Sequence, residues 1–214
     1  MSATSTTFYL VRHGETDWNA TERCQGALDI PMNANGVRQA ERAAEALRHV
    51  VFDAAYTSTL SRAQHTAAIL LAGSTLVASP VAAFAELSYG ACHGLRPDEW
   101  SDETGARWRA DPWSVEFPEG ESLVKLSARV LPEFVRIARA HQGQNVLLAS
   151  HGHVNRIILL HVLDADPNSF WEIEQANGGV VELTVPDVHA MSVGASARQL
   201  YPAATPPASA SLSG

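Results

Sequence analysis

Leu10-Val11-Arg12-His13-Gly14-Glu15-Thr16-Asp17-Trp18-Asn19 closes an apolar, aromatic-rich run that begins at Phe8. Such a run before a glycine reads as a buried strand opening into a loop. The loop then carries an arginine, a histidine and an asparagine, the equipment for seizing a phosphate and attacking it with an imidazole. Far downstream, Val146-Leu147-Leu148-Ala149 is a second apolar run, followed by Ser150-His151-Gly152. Two strand ends, each delivering a histidine followed by glycine, predict one site assembled from distant parts of the chain.

The segments around these two strands alternate in kind. Val37, Ala40, Ala43, Ala44 and Leu47 fall at helical spacing over 37–50, and Ala54–Thr57 reads as a strand. Ser58 is positioned to cap a following helix with Leu60, Ala63, Ala67 and Leu70 on one face. Extended chain is expected at Leu76–Ala78 and before Glu86. One helix is expected over Pro97–Arg109, with Trp100 and Trp108, and another over Glu121–His141, striped by Leu123, Leu126, Val130, Phe134 and Ile137. A helix over His153–Leu163 and a strand at Val180–Val185 complete the pattern. Alternation of this sort predicts an α/β fold, a three-layer α/β/α sandwich around a mainly parallel sheet covered on both faces. Ligands bind such sheets beyond the carboxyl ends of the strands. His13, Arg62, Glu86 and His151 all follow strands or extended segments at that edge.

The chain has 214 residues, 46% hydrophobic and 18% charged, which suits one domain over 1–201 with a lid-like insert at about 88–119. Residues 202–214, rich in Ala, Ser and Pro, read as a flexible tail. The indoles of Trp100, Trp108 and Trp113 in the insert suit hydrophobic core better than a mobile cover. A formal net charge of −8 argues against a nucleic-acid or anionic-membrane partner. It leaves room for a small phosphorylated substrate, which needs only a local cationic cluster. Cys24 and Cys92 are too few for a disulfide framework, so a reducing cytoplasmic setting is expected. Residues 1–7 lack the pattern of a signal peptide, and no apolar run approaches the roughly 18 to 20 residues of a membrane span.

Arg12-His13-Gly14-Glu15-Thr16 with Trp18-Asn19 resembles the signature of the histidine phosphatase superfamily, whose best-known branch is phosphoglycerate mutase. The likeness continues in order through Arg23, Gln25-Gly26, Asp29-Ile30-Pro31-Met32, Gly36, Gln39-Ala40 and Thr57-Ser58-Thr59-Leu60-Ser61-Arg62-Ala63. Glu86-Leu87-Ser88-Tyr89-Gly90, Gly120-Glu121-Ser122 and Ser150-His151-Gly152 extend it over roughly residues 6 to 185. The resemblance implies a phosphoglycerate mutase-like fold and a phosphohistidine formed on His13. It implies that Arg12, Arg62 and His151 hold the phosphate oxygens with help from Asn19. Gln25, Gly26, Gly152 and His153 would complete the substrate site. Glu86 would be the general acid, then the base, and neither metal nor other cofactor is needed. Both monomers and homodimers occur in the superfamily.

These residue types suit the task. A neutral imidazole is a competent nucleophile, and its ordinary pKa of about 6.5 leaves it mostly uncharged at pH 7. Nearby arginines disfavour the imidazolium and neutralise the transferring phosphoryl group. The amides of Gly152 and His153 are placed to offer a helix N-terminus to the anion, and Glu86 is expected to have a pKa raised by nearby substrate phosphate and partial burial. Glu15 reads as a structural carboxylate, and His93-Gly94 departs from the Glu-Gly of related phosphatases. His151-Gly152-His153 lacks the second ligand cluster that zinc would require. In the mutase branch the glutamate is followed by a Tyr three residues on, a Lys and a paired Arg-Arg. Here Tyr89 is present, Arg96-Pro97 occupies the lysine region and Arg107-Trp108-Arg109 replaces the pair. The expected enzyme is therefore a cofactor-independent phosphatase of a small phosphomonoester. A mutase dependent on 2,3-bisphosphoglycerate, using Arg96, Arg107 or Arg109, is the alternative. An inactive phosphate-binding module is disfavoured because all five central residues are present.

Overall fold

The computed structural model describes residues 5–192 and 194–201, so the expected tail at 202–214 lies outside the described residues. In chain order the elements are β1 (Thr6–Arg12), α1 (Asp17–Ala20), α2 (Ala34–Leu47), β2 (Ala54–Ser58), α3 (Ser61–Leu70) and β3 (Ser79–Val81). They continue with α4 (Asp102–Ala110), α5 (Leu123–Ala140), β4 (Asn145–Ser150), α6 (Gly152–Val162), β5 (Val180–Val185) and β6 (Ser196–Tyr201).

The strands form one sheet in the order β3-β2-β4-β1-β5-β6. The first four run parallel, while β5 and β6 are antiparallel additions. Alternation along β1 explains the layers. Phe8 and Leu10 enter a core built with Phe134 and Ile137 of α5 and Ile157 and Ile158 of α6. Tyr9 and Val11 point to the other face, against Ala43 and Leu47 of α2 and Leu71 after α3. A strand buried on both faces must be apolar throughout, as β1 and β4 are. The sheet therefore has helices on both faces, as the sequence pattern predicts.

Several local expectations change. Ser58 does not cap α3; its Oγ accepts from the Leu60 N–H at 3.2 Å, and α3 begins without a side-chain cap. Of the extended chain expected before Glu86, the strand is β3 at Ser79–Val81 rather than Leu76–Ala78, and a 3-10 turn at Ala82–Phe84 separates it from Glu86. The helix expected over Pro97–Arg109 is two pieces, a 3-10 turn at Pro97–Glu99 and α4, which Ser101 caps. Trp100 and Trp108 are buried, packed on Tyr89 and Phe117. β6 had no apolar alternation to announce it, because most of it is exposed at the sheet edge. Among the described residues no helix is long and apolar enough to cross a membrane.

Candidate active site

The register of β1 and β4 sets Arg12 opposite Ser150, so His13 and His151 leave adjacent strands side by side. Their ring centroids are 5.1 Å apart. His13 is buried, and its Nδ1 lies 2.7 Å from the Gly14 carbonyl oxygen. A nitrogen facing a carbonyl must donate, which leaves the Nε2 lone pair available. Arg62 Nε donates to that Nε2 at 3.2 Å. Burial, with the charge of Arg62, holds the His13 pKa well below the ordinary histidine value and keeps the ring neutral. Gly14 is required by the turn itself: a Cβ there would lie 2.2 Å from the Gly36 carbonyl oxygen.

Arg62 is fully buried at the start of α3. Its Nη1 donates to Leu28 O at 2.7 Å and its Nη2 to Gly26 O at 2.6 Å. Gly26 has a φ of +47° and would place a Cβ 2.3 Å from Leu87 O, so only glycine closes this loop over the guanidinium. Burial lowers the Arg62 pKa to about 10, which still leaves it cationic at neutral pH. Arg12 donates through Nη1 to Gln175 O, while its Nε is buried without a partner. Both ring nitrogens of His151 are likewise buried and unpartnered. Burial and Arg62 hold the His151 pKa well below the ordinary value. Buried polar atoms left unpaired are costly, and here they cluster around the His13 ring.

Glu86 approaches from the other side. Its Oε1 accepts from the Leu87 N–H at 2.8 Å, and its Oε2 accepts from the His153 N–H at 3.1 Å. His153 Nδ1 lies 3.2 Å from the same Oε2. The α6 N-terminus, expected to face substrate, thus already meets an anion from within the chain. Burial alone would raise the Glu86 pKa, but His153 and the Leu87 N–H outweigh it and hold the carboxyl well below the usual range. Without substrate phosphate, the partial burial counted on to raise this pKa is therefore not enough to do so.

Other predicted residues have supporting positions. Asn19 Oδ1 accepts from Thr16 N and Gln25 Nε2, both at 3.2 Å, and from Asn177 Nδ2 at 3.1 Å; Asn177 also donates to His13 O. Glu15 is half-buried and accepts from Asn33 Nδ2 at 3.0 Å, as a structural carboxylate should. His93 Nε2 accepts the Tyr89 N–H at 3.1 Å. Arg96 is tied to Asp98 and Glu22 at the surface, and Arg107 to Ser114 O. Two arginines escaped the sequence reading. Arg129 of α5 grips the backbone leading to Glu86, and Arg156 of α6 stands beside Gly152. The latter had one available signal, its place four residues after Gly152 on the same helix face. Among the described residues no three His, Cys, Asp or Glu side chains converge as a metal-binding set.

Known proteins resemble this chain in sequence and in fold. The family model of the histidine phosphatase superfamily (branch 1) matches residues 8–193. The uncharacterized phosphatase PhoE of Bacillus subtilis (strain 168) is 34% identical over 158 residues, 74% of this chain and 78% of that protein. A 2,3-bisphosphoglycerate-dependent phosphoglycerate mutase of Methylobacterium radiotolerans is 36% identical over 190 residues, 84% of this chain and 82% of its own length. The native structure of a mycobacterial glucosyl-3-phosphoglycerate phosphatase superposes with a TM-score of 0.79 at 26% identity, covering 91% of this chain and 97% of that one.

Proposed function

The chain belongs to the histidine phosphatase superfamily (branch 1), and from that premise we propose that it hydrolyses a small phosphomonoester through a phosphohistidine on His13, without a metal. The observation that carries this reading is the neutral His13, its Nδ1–H fixed on Gly14 O and its Nε2 lone pair beside Arg62, Arg12 and His151. Nε2 attacks phosphorus while the ester P–O bond breaks. Arg12, Arg62 and His151 take the equatorial oxygens, a preorganised field of the kind phosphoryl transfer relies on. Glu86 passes a proton to the departing oxygen. Substrate charge opposes the ionised carboxylate and raises its proton affinity, which allows an acid held low in the free chain to be protonated in the complex. Water then attacks phosphorus, the P–N bond breaks and Glu86 receives the water proton.

The relatives named as mutases support a second reading, isomerisation dependent on 2,3-bisphosphoglycerate. The contacts of Arg96 with Glu22 and Asp98, and of Arg107 with Ser114 O, favour the phosphatase, since those two cations already have partners within the chain. The test measures phosphate release from p-nitrophenyl phosphate in EDTA and the fate of 3-phosphoglycerate with and without 2,3-bisphosphoglycerate. Hydrolysis that resists EDTA and falls at least about 10³-fold in His13→Ala is the expected result. Isomerisation requiring bisphosphoglycerate would make the mutase the correct reading, and undiminished hydrolysis in His13→Ala would remove the nucleophile.

A further inference from the structure

We infer that Arg156 is the specificity-determining residue of this site and receives a carboxylate borne by the alcohol half of the phosphomonoester, an inference that rests on the phosphatase reading above.

Arg156 is held rigidly without being neutralised. Its Nε donates to Ile173 O at 2.9 Å, and its guanidinium carbon lies 5.5 Å from the Phe170 ring centroid and 5.4 Å from that of Trp171. Among the described residues no carboxylate pairs with it, and neither Nη nitrogen has a hydrogen-bond partner. A half-buried cation in a chain of net charge −8 would ordinarily find one of the many carboxylates. Burial, then the neighbouring charge of Arg12, lowers its pKa to about 10, so it remains cationic at neutral pH.

Its position fixes which part of a substrate it meets. A Cβ on Gly152 would lie 3.4 Å from Arg156 Nη1 and 3.6 Å from Arg12 Nε, so the two guanidinium groups flank Gly152. Arg12, Arg62 and His151 surround His13 and are committed to the phosphoryl group. Arg156 shares its wall with the acid instead. Phe170, beneath it, stacks on His153 at 5.7 Å and 14°, and His153 Nδ1 is 3.2 Å from Glu86 Oε2. The acid must sit at the bridging oxygen, so the space on this wall belongs to the alcohol. Two free Nη donors on a planar, immobilised fork match the two oxygens of a carboxylate, and prior immobilisation lowers the cost of binding.

The test compares 3-phosphoglycerate with glycerol 3-phosphate, which differ at one carbon by carboxylate against hydroxymethyl. kcat and KM are measured for the wild type, Arg156→Met and Arg156→Lys. The wild type should favour 3-phosphoglycerate, and Arg156→Met should reduce the ratio of the two kcat/KM values about 10- to 100-fold. The change should fall mainly in the KM for 3-phosphoglycerate, with partial recovery in Arg156→Lys. The ratio is insensitive to any loss that both substrates share through the common wall. An unchanged ratio in Arg156→Met, or no wild-type preference for the carboxylate, would overturn the assignment. Failure of the underlying phosphatase reading looks different: no His13-dependent phosphate release from either substrate.

Discussion

Glu86 meets its N–H partners before any substrate arrives. Two backbone N–H groups hold its two oxygens, and His153 stands close by. The sequence shows a carboxylate after an apolar segment but not the α6 N-terminus that folds onto it, so burial and substrate phosphate could be weighed but not these N–H groups. In the proposed mechanism Glu86 is then a general acid whose protonation depends on substrate charge, and this separates leaving groups. An alkoxide needs a proton as it departs, whereas p-nitrophenolate leaves as a stable anion. Glu86→Gln should therefore lower kcat for an alkyl phosphate about 10²- to 10⁴-fold, the range for a lost general acid. p-Nitrophenyl phosphate should lose much less in its phosphorylation step, read as the burst of p-nitrophenol under rapid mixing. Equal losses for both substrates would show that Glu86 does not protonate the leaving oxygen.

At the scale of elements, Glu86 is presented by a loop that α5 holds from behind. Arg129 Nη1 donates to Ala83 O at 2.6 Å and Ala85 O at 2.7 Å, and its Nη2 donates to Glu86 O at 3.1 Å. The same guanidinium forms a two-point pair with Glu121, at 2.8 and 2.9 Å, and Glu121 in turn accepts the Ser88 N–H. One side chain thus fixes both sides of the acid's segment. Arg129→Met preserves much of the stem and removes the five bonds that Arg129 itself donates. It should cost about 1.5 to 3 kcal/mol in denaturant unfolding and lower turnover of alkyl phosphates more than that of p-nitrophenyl phosphate. Stability lost with no change in that ratio would confine Arg129 to a structural part. None of this network was legible in the sequence. α5 announced itself through the stripe of Leu123, Leu126, Val130, Phe134 and Ile137, but Arg129 lies off that stripe. Its backbone partners Glu86, Ala85 and Ala83 lie 43 to 46 residues away and are set by tertiary folding.

Across the whole molecule, what could be read in advance was what local chemistry dictates. β1 and β4 were legible because strands covered on both faces must be apolar throughout, and His13 and His151 because each follows such a strand directly. β6 and the 3-10 turns were not, since an exposed edge strand and a single turn draw on partners remote in sequence. The same burial that made the two histidines' strands readable gives the fold a pH dependence. His13 and His151 have native pKa values well below the ordinary 6.5, whereas in the unfolded chain they titrate near it. Below about pH 6.5 the unfolded state therefore binds more protons than the native state, and stability falls as pH falls. Glu86, also held low, adds a loss of the same sign, beginning near its own ordinary value of 4.5. Above pH 6.5 these groups contribute their full stabilisation, so the window between 6.5 and 4.5 isolates the histidines. Urea unfolding at pH 8, 6.5 and 5 should show little change across the first interval and a clear drop in midpoint across the second. A His13→Gln/His151→Gln double variant should show a smaller drop between pH 6.5 and 5 than the wild type, whatever its stability at pH 8. An undiminished drop in the double variant would mean that the acid sensitivity of this fold lies outside its site.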